Sequence, residues 1–311
     1  MICISICTRS RPKMLRRLLT SCAEILPDDR AKIMLVVVEN GEPAEASAIV
    51  DAFREELDLH YVNEPNLGIV NARNASIDFF LTTEAEWMAS FDDDELVSPD
   101  WLKAMLDAME SYPSCRVFAG PQVRLAPENA SRWFPYKSPK KMETGTAVWN
   151  VSTANVLFNR SVFSKKGLGL RFHPDFNFSG GEDTHLFYTL KDRGEPILWV
   201  NDAECTEPTI EERGTFSEQV QRHVARSQNW GKIKIMRFGN IRGRLLVFWL
   251  MFASMLNVFS YAVIGALILV ASEDKGVSIL SKSLHNGLNA AGYFKSLILK
   301  GGNYYAKTDG Y

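Results

Sequence analysis

The 311-residue chain has no charge excess with which to grip a polyphosphate backbone. Its 35 Lys and Arg stand against 37 Asp and Glu, a formal net charge of -2, so a nucleic-acid partner is excluded on bulk electrostatics. Cysteine is equally sparse. The five present, Cys3, Cys7, Cys22, Cys115 and Cys205, are odd in number and scattered, which excludes a disulfide framework and the paired spacing of a zinc site. They are expected to be reduced, mostly buried thiols. There is no internal repeat and no low-complexity tract, and 46% hydrophobic against 23% charged content excludes disorder. The opening stretch Met1 to Cys7 lacks the basic n-region of a signal peptide, so it is expected to be a first strand of a chain that stays in the cytosol.

What is present is alternation. Residues 2–7 and 33–38 are β-branched and apolar runs, the second of the continuous kind found in a strand buried on both faces. Strands are also expected at 57–62, 86–91, 153–158 and 196–200. Helices are expected from Pro12 through a stripe of Met14, Leu15, Leu18, Leu19 and Cys22, to about Glu56, over 68–81, over 99–111 with Ser98 and Pro99 as its cap, and from Gly180 to about Arg193. This order implies right-handed crossovers and a mostly parallel α/β sheet, with ligands bound beyond the carboxyl ends of its strands.

Polar groups converge on that edge. Thr8 and Arg9 follow the first strand, Glu39 and Asn40 the second, and Asp92, Asp93, Asp94 and Glu95 the fourth. Four acids in a row repel one another, and the run is comfortable only where a metal, basic groups or water offsets the charge. An EF-hand is excluded, since counting from Asp92 the glycine position holds Val97 and the bidentate-Glu position holds Lys103.

A charge imbalance lies further on. From Arg213 to Arg244 there are eight Lys or Arg and one acid, Glu218, immediately before Leu245–Ala271, 27 residues without a charge. That run is long enough to span a bilayer with tilt, and its basic flank favours membrane contact from the cytoplasmic side. Beyond it, Leu280, Leu284, Leu288, Ala291, Phe294 and Ile298 form a helical stripe with Lys282, Asn289, Lys295 and Lys300 off it, the pattern of a helix lying on an anionic leaflet. Both flanks are therefore expected on the cytoplasmic face, with the apolar run bending back near Asn257–Gly265.

Five blocks in order, Ser5 to Pro12, Val37 to Gly41, Asn66 to Asn74, Phe91 to Glu95 and Gly180 to Asp183, give residues 1–230 a sequence that resembles the family 2 glycosyltransferases with their GT-A fold. The narrower likeness is to bacterial enzymes that build exopolysaccharide or envelope glycans. The resemblance implies a hexosyltransferase domain over 1–230, its nucleotide half about 1–120 and its acceptor half about 121–230, followed over 231–311 by a basic linker, the apolar segment 245–271 and an amphipathic C-terminal helix. It implies that Thr8, Arg9, Glu39, Arg73, Asp92 and Asp93 serve the donor nucleotide and that Asp94 holds a divalent cation, Mn2+ or Mg2+. Asp183 becomes the catalytic base of an inverting transfer. Arg213 and Arg222 become candidate diphosphate contacts, and Glu182 and Trp149 candidate acceptor contacts; Trp133, Phe134 and Tyr136 are further aromatics for stacking on sugar. Glu39 departs from the family's usual Asp, which leaves uridine specificity open. The implied partners are a nucleotide-sugar, probed first as a UDP-sugar, a glycan or polyprenyl-linked acceptor, and membrane lipid at the cytoplasmic face of the inner membrane. Two alternatives stay open: a metal-dependent nucleotidyltransferase, disfavoured because Thr8 to Pro12 contains no glycine to cradle phosphate, and an inactive membrane-tethered sugar-nucleotide binder.

Overall fold

The computed structural model describes residues 1–299 apart from Leu26, Pro43, Ala44, Lys137, Lys140 and Asn150; Lys300 of the expected cationic stripe lies outside the described residues. The first 111 residues alternate as β1 (Ile2–Thr8), α1 (Pro12–Ala23), β2 (Ile33–Asn40), α2 (Ala46–Phe53), β3 (Leu59–Glu64), α3 (Ile69–Thr82), β4 (Trp87–Asp92), the short β5 (Leu96–Val97) and α4 (Trp101–Ser111). Strands β3, β2, β1 and β4 lie side by side and parallel. Alternate residues of β1 enter opposite cores. Ile2, Ile4 and Ile6 pack with Leu15, Leu18, Ile49 and Trp101 of α1, α2 and α4, whereas Cys3 packs with Val70, Ile77 and Phe80 of α3. This double cover is why the strands read as unbroken apolar runs. Ser98 and Pro99 do not cap α4 as expected. They form the turn before it, with the Trp101 N–H donating to the Ser98 carbonyl and Asp100 in the cap position.

Next come β6 (Val117–Ala119), β7 (Gln122–Leu125), β8 (Ala147–Val148), β9 (Val156–Asn159), α5 (Glu182–Asp192), β10 (Ile197–Trp199) and β11 (Cys205–Pro208). The expected strand at 153–158 is in fact a 3-10 turn over Thr153–Asn155 leading into β9. Strand β9 lies antiparallel between β4 and β6, so β4, β9, β6, β10 and β8 continue the same sheet to eight strands. The two expected halves therefore share one sheet. A second sheet, β5-β11-β7, begins directly after the acid run, with β5 at Leu96.

The chain ends in helices: α6 (Glu211–Gly214), α7 (Phe216–Phe238), α8 (Asn240–Ala271) and α9 (Glu273–Ile298). The boundary expected at residue 230 falls inside α7. The bend expected at Asn257–Gly265 is absent, since α8 is one continuous helix of 32 residues and the chain reverses at Ser272. Helix α9 then returns along α8 and α7. Gly265 meets Leu280, Gly276 meets Leu269, and Ser227 on α7 donates to Asn289 Oδ1. The expected apolar stripe of α9 is thus split, with Leu280 against α8 while Phe294 and Ile298 stay exposed.

Candidate active site

The parallel register decides what meets at the carboxyl edge. Thr8 pairs with Glu39, Glu39 with Asn63, and Cys7 with Asp92, so polar residues far apart in sequence stand in one row. Asn40 steadies the row by accepting from the Gly68 N–H at 2.7 Å and donating to the Glu64 and Asn66 carbonyls. Asn177 accepts from the Val70 and Asn71 N–H groups at the start of α3, satisfying helix donors that would otherwise be orphaned. Gly68, at φ +127°, is the residue this corner requires, because a Cβ there would fall 2.1 Å from the Asn177 side chain.

The four acids have four different environments. Asp92 is partly exposed and accepts from Arg73 Nη2 at 2.9 Å. Asp93 turns inward, taking the Thr8 hydroxyl at 2.7 Å and Arg11 Nη1 at 3.0 Å; burial pushes its carboxyl up to about 6 against the pull of Arg11. Asp94 lies 2.7 Å from Arg213 Nη1 and 3.9 Å from Arg11, and these two cations outweigh its burial and hold its carboxyl below the usual range. Glu95 is buried against Gln122, and burial followed by the neighbouring Glu207 drives its carboxyl up to about 9. Asp92 is thus the accessible one of the four, Asp94 is only slightly exposed, and Asp93 and Glu95 face the interior.

Arg73 links the two sides of the site. It is buried, and its guanidinium pairs with Asp92 on β4 and with Glu182 at the start of α5. Burial works against its charge, but Glu182, Asp92 and Asp183 together keep it protonated. Arg73 and Glu182 are accordingly bridge residues of the interior. The expected nucleotide role for Arg73 and acceptor role for Glu182 thus fall on side chains that pair with each other here. Asp183 is half-buried and accepts from the N–H and hydroxyl of Thr184. Its approach is shaped by Gly181, at φ +86°, where a Cβ would lie 2.9 Å from Asn229 of α7.

Glu39 is buried, accepting from the Tyr61 hydroxyl at 2.6 Å, and lines a cavity of about 120 Å³ with Thr8, Ser10, Arg11, Pro12 and Ala46. Arg9 is half-buried beside this cavity and pairs with no described residue. Helix α7 brings up the basic side. Gln219, Arg222, Arg226 and Asn229 share one helical face; Gln219 donates to the Arg213 carbonyl and Asn229 to the Ser179 carbonyl at 2.7 Å, which sets Arg222 between Arg213 and the Gly180–Gly181 corner. Two expectations are displaced. Trp149 lies under the Lys191 ammonium at 5.1 Å, and Lys191 is about 12 Å along α5 from Asp183. Phe134 is buried against Phe216, His223 and His285, as a core residue.

Sequence reasoning missed Arg11 and Glu207. Arg11 sits in the block containing Arg9, but Ser10 takes the left-handed φ of +52° and turns the chain so that Arg11 reaches the acids. Glu207, on β11, shares Arg213 with Asp94 at 3.1 Å, and nothing local marks it. As for a metal, Asp94 is held ionised by Arg213 and Arg11, so its carboxylate would suit a divalent ion once Arg213 is drawn away. Among the described residues no three His, Cys, Asp or Glu stand close enough to chelate one alone, so further ligands would come from a bound diphosphate.

Solved structures share this fold. The mannosyltransferase PcManGT from Pyrobaculum calidifontis, solved with GDP-Man and Mn2+, superposes with TM-score 0.60 at 14% identity, over 96% of this chain and 87% of that one. Residues 1–349 of S. aureus TarS with UDP-GlcNAc give 0.55 at 15% identity, over 90% and 89%. These likenesses define the class of fold, GT-A. The model of glycosyl transferase family 2 matches residues 3–167, and the succinoglycan biosynthesis protein ExoM of Rhizobium meliloti (strain 1021) is 30% identical over 241 residues, 74% of each chain. The chain belongs to glycosyltransferase family 2 and is a glycosyltransferase.

Proposed function

We propose that the protein is a metal-dependent, inverting transferase that moves a sugar from a nucleotide-sugar, a UDP-sugar being the first to test, to a hydroxyl of a glycan or polyprenyl-linked saccharide in exopolysaccharide or envelope glycan synthesis. Its place is the cytoplasmic face of the inner membrane. The observation that carries the reading is the Arg73 bridge, which holds the strand-end carboxylate Asp92 and the helix bearing Asp183 on one guanidinium. The biosynthetic role named for ExoM and the ligands named for PcManGT and TarS are consistent with it.

In this reading the base and ribose lie by Thr8, Arg9 and Glu39, and the diphosphate lies over Asp92 and Asp94 within reach of Arg213 and Arg222. Mn2+ or Mg2+ held at Asp94 would supply charge neutralisation for the diphosphate. Asp183 takes the acceptor hydroxyl proton as that oxygen bonds the anomeric carbon. The bond from this carbon to the diphosphate oxygen breaks, and its electron pair leaves with the nucleoside diphosphate. Attack on the face opposite the leaving group inverts the centre.

The test is UDP release from a panel of UDP-sugars with Mn2+ or Mg2+. Asp183→Asn keeps shape and removes the base, so kcat falls by about two to four decades while UDP binding by calorimetry is unchanged. Near-normal turnover of that variant would move the base elsewhere.

A further inference from the structure

Helix α8 meets the length and hydropathy of a membrane span, with mean hydropathy 2.0 and only 11% of its most apolar window buried. Its placement argues for a different use. We propose that α8 lies in the plane of the cytoplasmic leaflet, docking the enzyme on an anionic bilayer surface without crossing it. The proposal rests on the reading that a membrane is this enzyme's partner, and adds how the contact is made.

Helix α8 has two faces. Gly243, Val247, Ser254 and Gly265 turn inward, and the outer stripe of Trp249, Phe252, Leu256, Phe259, Val263 and Leu267 is exposed, Phe259 by 69% and Leu267 by 70%. An exposed apolar surface of this extent calls for a partner. Both ends of the helix are tied to the catalytic domain's own layer. At the start, Gly243 abuts the α7 backbone at Ile235, and Arg244 donates to the Leu297 carbonyl of α9. At the end, the chain turns straight into α9, where Glu273 pairs with Arg132 at 3.1 Å and His285 lies 2.9 Å from the Trp133 carbonyl oxygen. Residues 132 and 133 belong to the segment between β7 and β8.

Thirty-two residues make a helix of about 48 Å, against a hydrocarbon core of about 30 Å. Set upright, α8 would carry Arg132 and the loop around it into or beyond that core, where irregular backbone and charge are excluded. Laid flat, the same contacts hold with every polar group on the water side.

Charge selects the occupant. Residues 240–298 carry Arg242, Arg244, Lys275, Lys282 and Lys295 against Glu273, already paired with Arg132, and Asp274. Lys282 of α9 reaches over the ring of Tyr261 on α8. A cationic rim around an apolar stripe complements acyl chains beneath anionic headgroups. A second copy of the chain would bring like-charged rims together.

The full-length protein is floated with phosphatidylglycerol–phosphatidylethanolamine vesicles and with neutral phosphatidylcholine vesicles. Binding to the anionic vesicles is expected to be at least about tenfold stronger, and Phe252→Glu/Phe259→Glu to abolish it. One cysteine added at a time, as Arg242→Cys or Asp274→Cys, is then probed with a membrane-impermeant maleimide against the wild type with its five native cysteines. Both are expected to react in inside-out membranes and neither in intact cells. Reaction of the Asp274→Cys protein from outside would overturn the in-plane placement and leave the membrane reading standing. Failure of the wild type to float with any vesicle would overturn both, and a dimer by light scattering would then name a second copy as the occupant.

Discussion

At the residue scale, the pairing of Asp94 with Arg213 bears most directly on metal binding. A guanidinium 2.7 Å from the carboxylate competes with a divalent ion for it, and the same Arg213 nitrogen is shared with Glu207 at 3.1 Å. The expectation is that diphosphate draws Arg213 away as the cation arrives. Arg213→Ala should therefore bind Mn2+ more tightly without nucleotide, on the order of tenfold for one lost competing charge, while binding UDP more weakly. Calorimetric titration of the metal alone and of UDP separates the two effects. Asp94→Ala should abolish the metal enhancement of UDP binding with Tm little changed, because a strand-end carboxylate is removed and no core cavity opens. Equal UDP affinity with and without metal in the wild type would contradict this account of Asp94.

At the scale of elements, Arg73 of α3 fastens β4 to α5. Replacing it with Met strands Asp92 and the buried Glu182 without their cation, at a cost of about 3–5 kcal/mol by the usual measure of a broken buried pair. Chemical denaturation reads that cost. Adding Glu182→Gln removes one of the stranded charges, so the double variant should recover part of the loss. Full additivity of the two changes would mean that the bridge is not a unit.

At the scale of the whole molecule, two half-buried histidines lie where helices meet their neighbours. His185 of α5 lies 5.3 Å from the Phe176 ring, and His223 of α7 stacks on His285 of α9 with Nε2 2.9 Å from Asn289 Oδ1. Burial depresses both imidazoles below their ordinary 6.5, helped by His173 beside His185 and by His285 and Arg226 beside His223. A depressed native pKa means that the unfolded chain binds protons more readily. The stability is thus fully present above pH 6.5 and lost as pH falls from there toward the native values. Tm should decline between pH 7 and 5.5, and His223→Gln should make that decline shallower.

The sequence by itself determined the main strand and helix alternation of the first 111 residues and the edge at which those strands present their polar ends. Apolar runs buried on two faces, helical stripes and strand-terminal polar residues are local patterns, and Thr8, Glu39, Asp92 and Asp94 stand at the edge where alternation put them. Only the tertiary structure decided how those side chains are used. Arg73 and Glu182 neutralise each other across 109 residues, and Arg213 reaches Asp94 across 119, pairings that depend on register and packing and leave no local trace. The same reason governs the C-terminus. Composition shows that α8 suits hydrocarbon, but its orientation is set by where α9 turns back and by contacts such as Arg132 with Glu273, which exist only once the chain has folded.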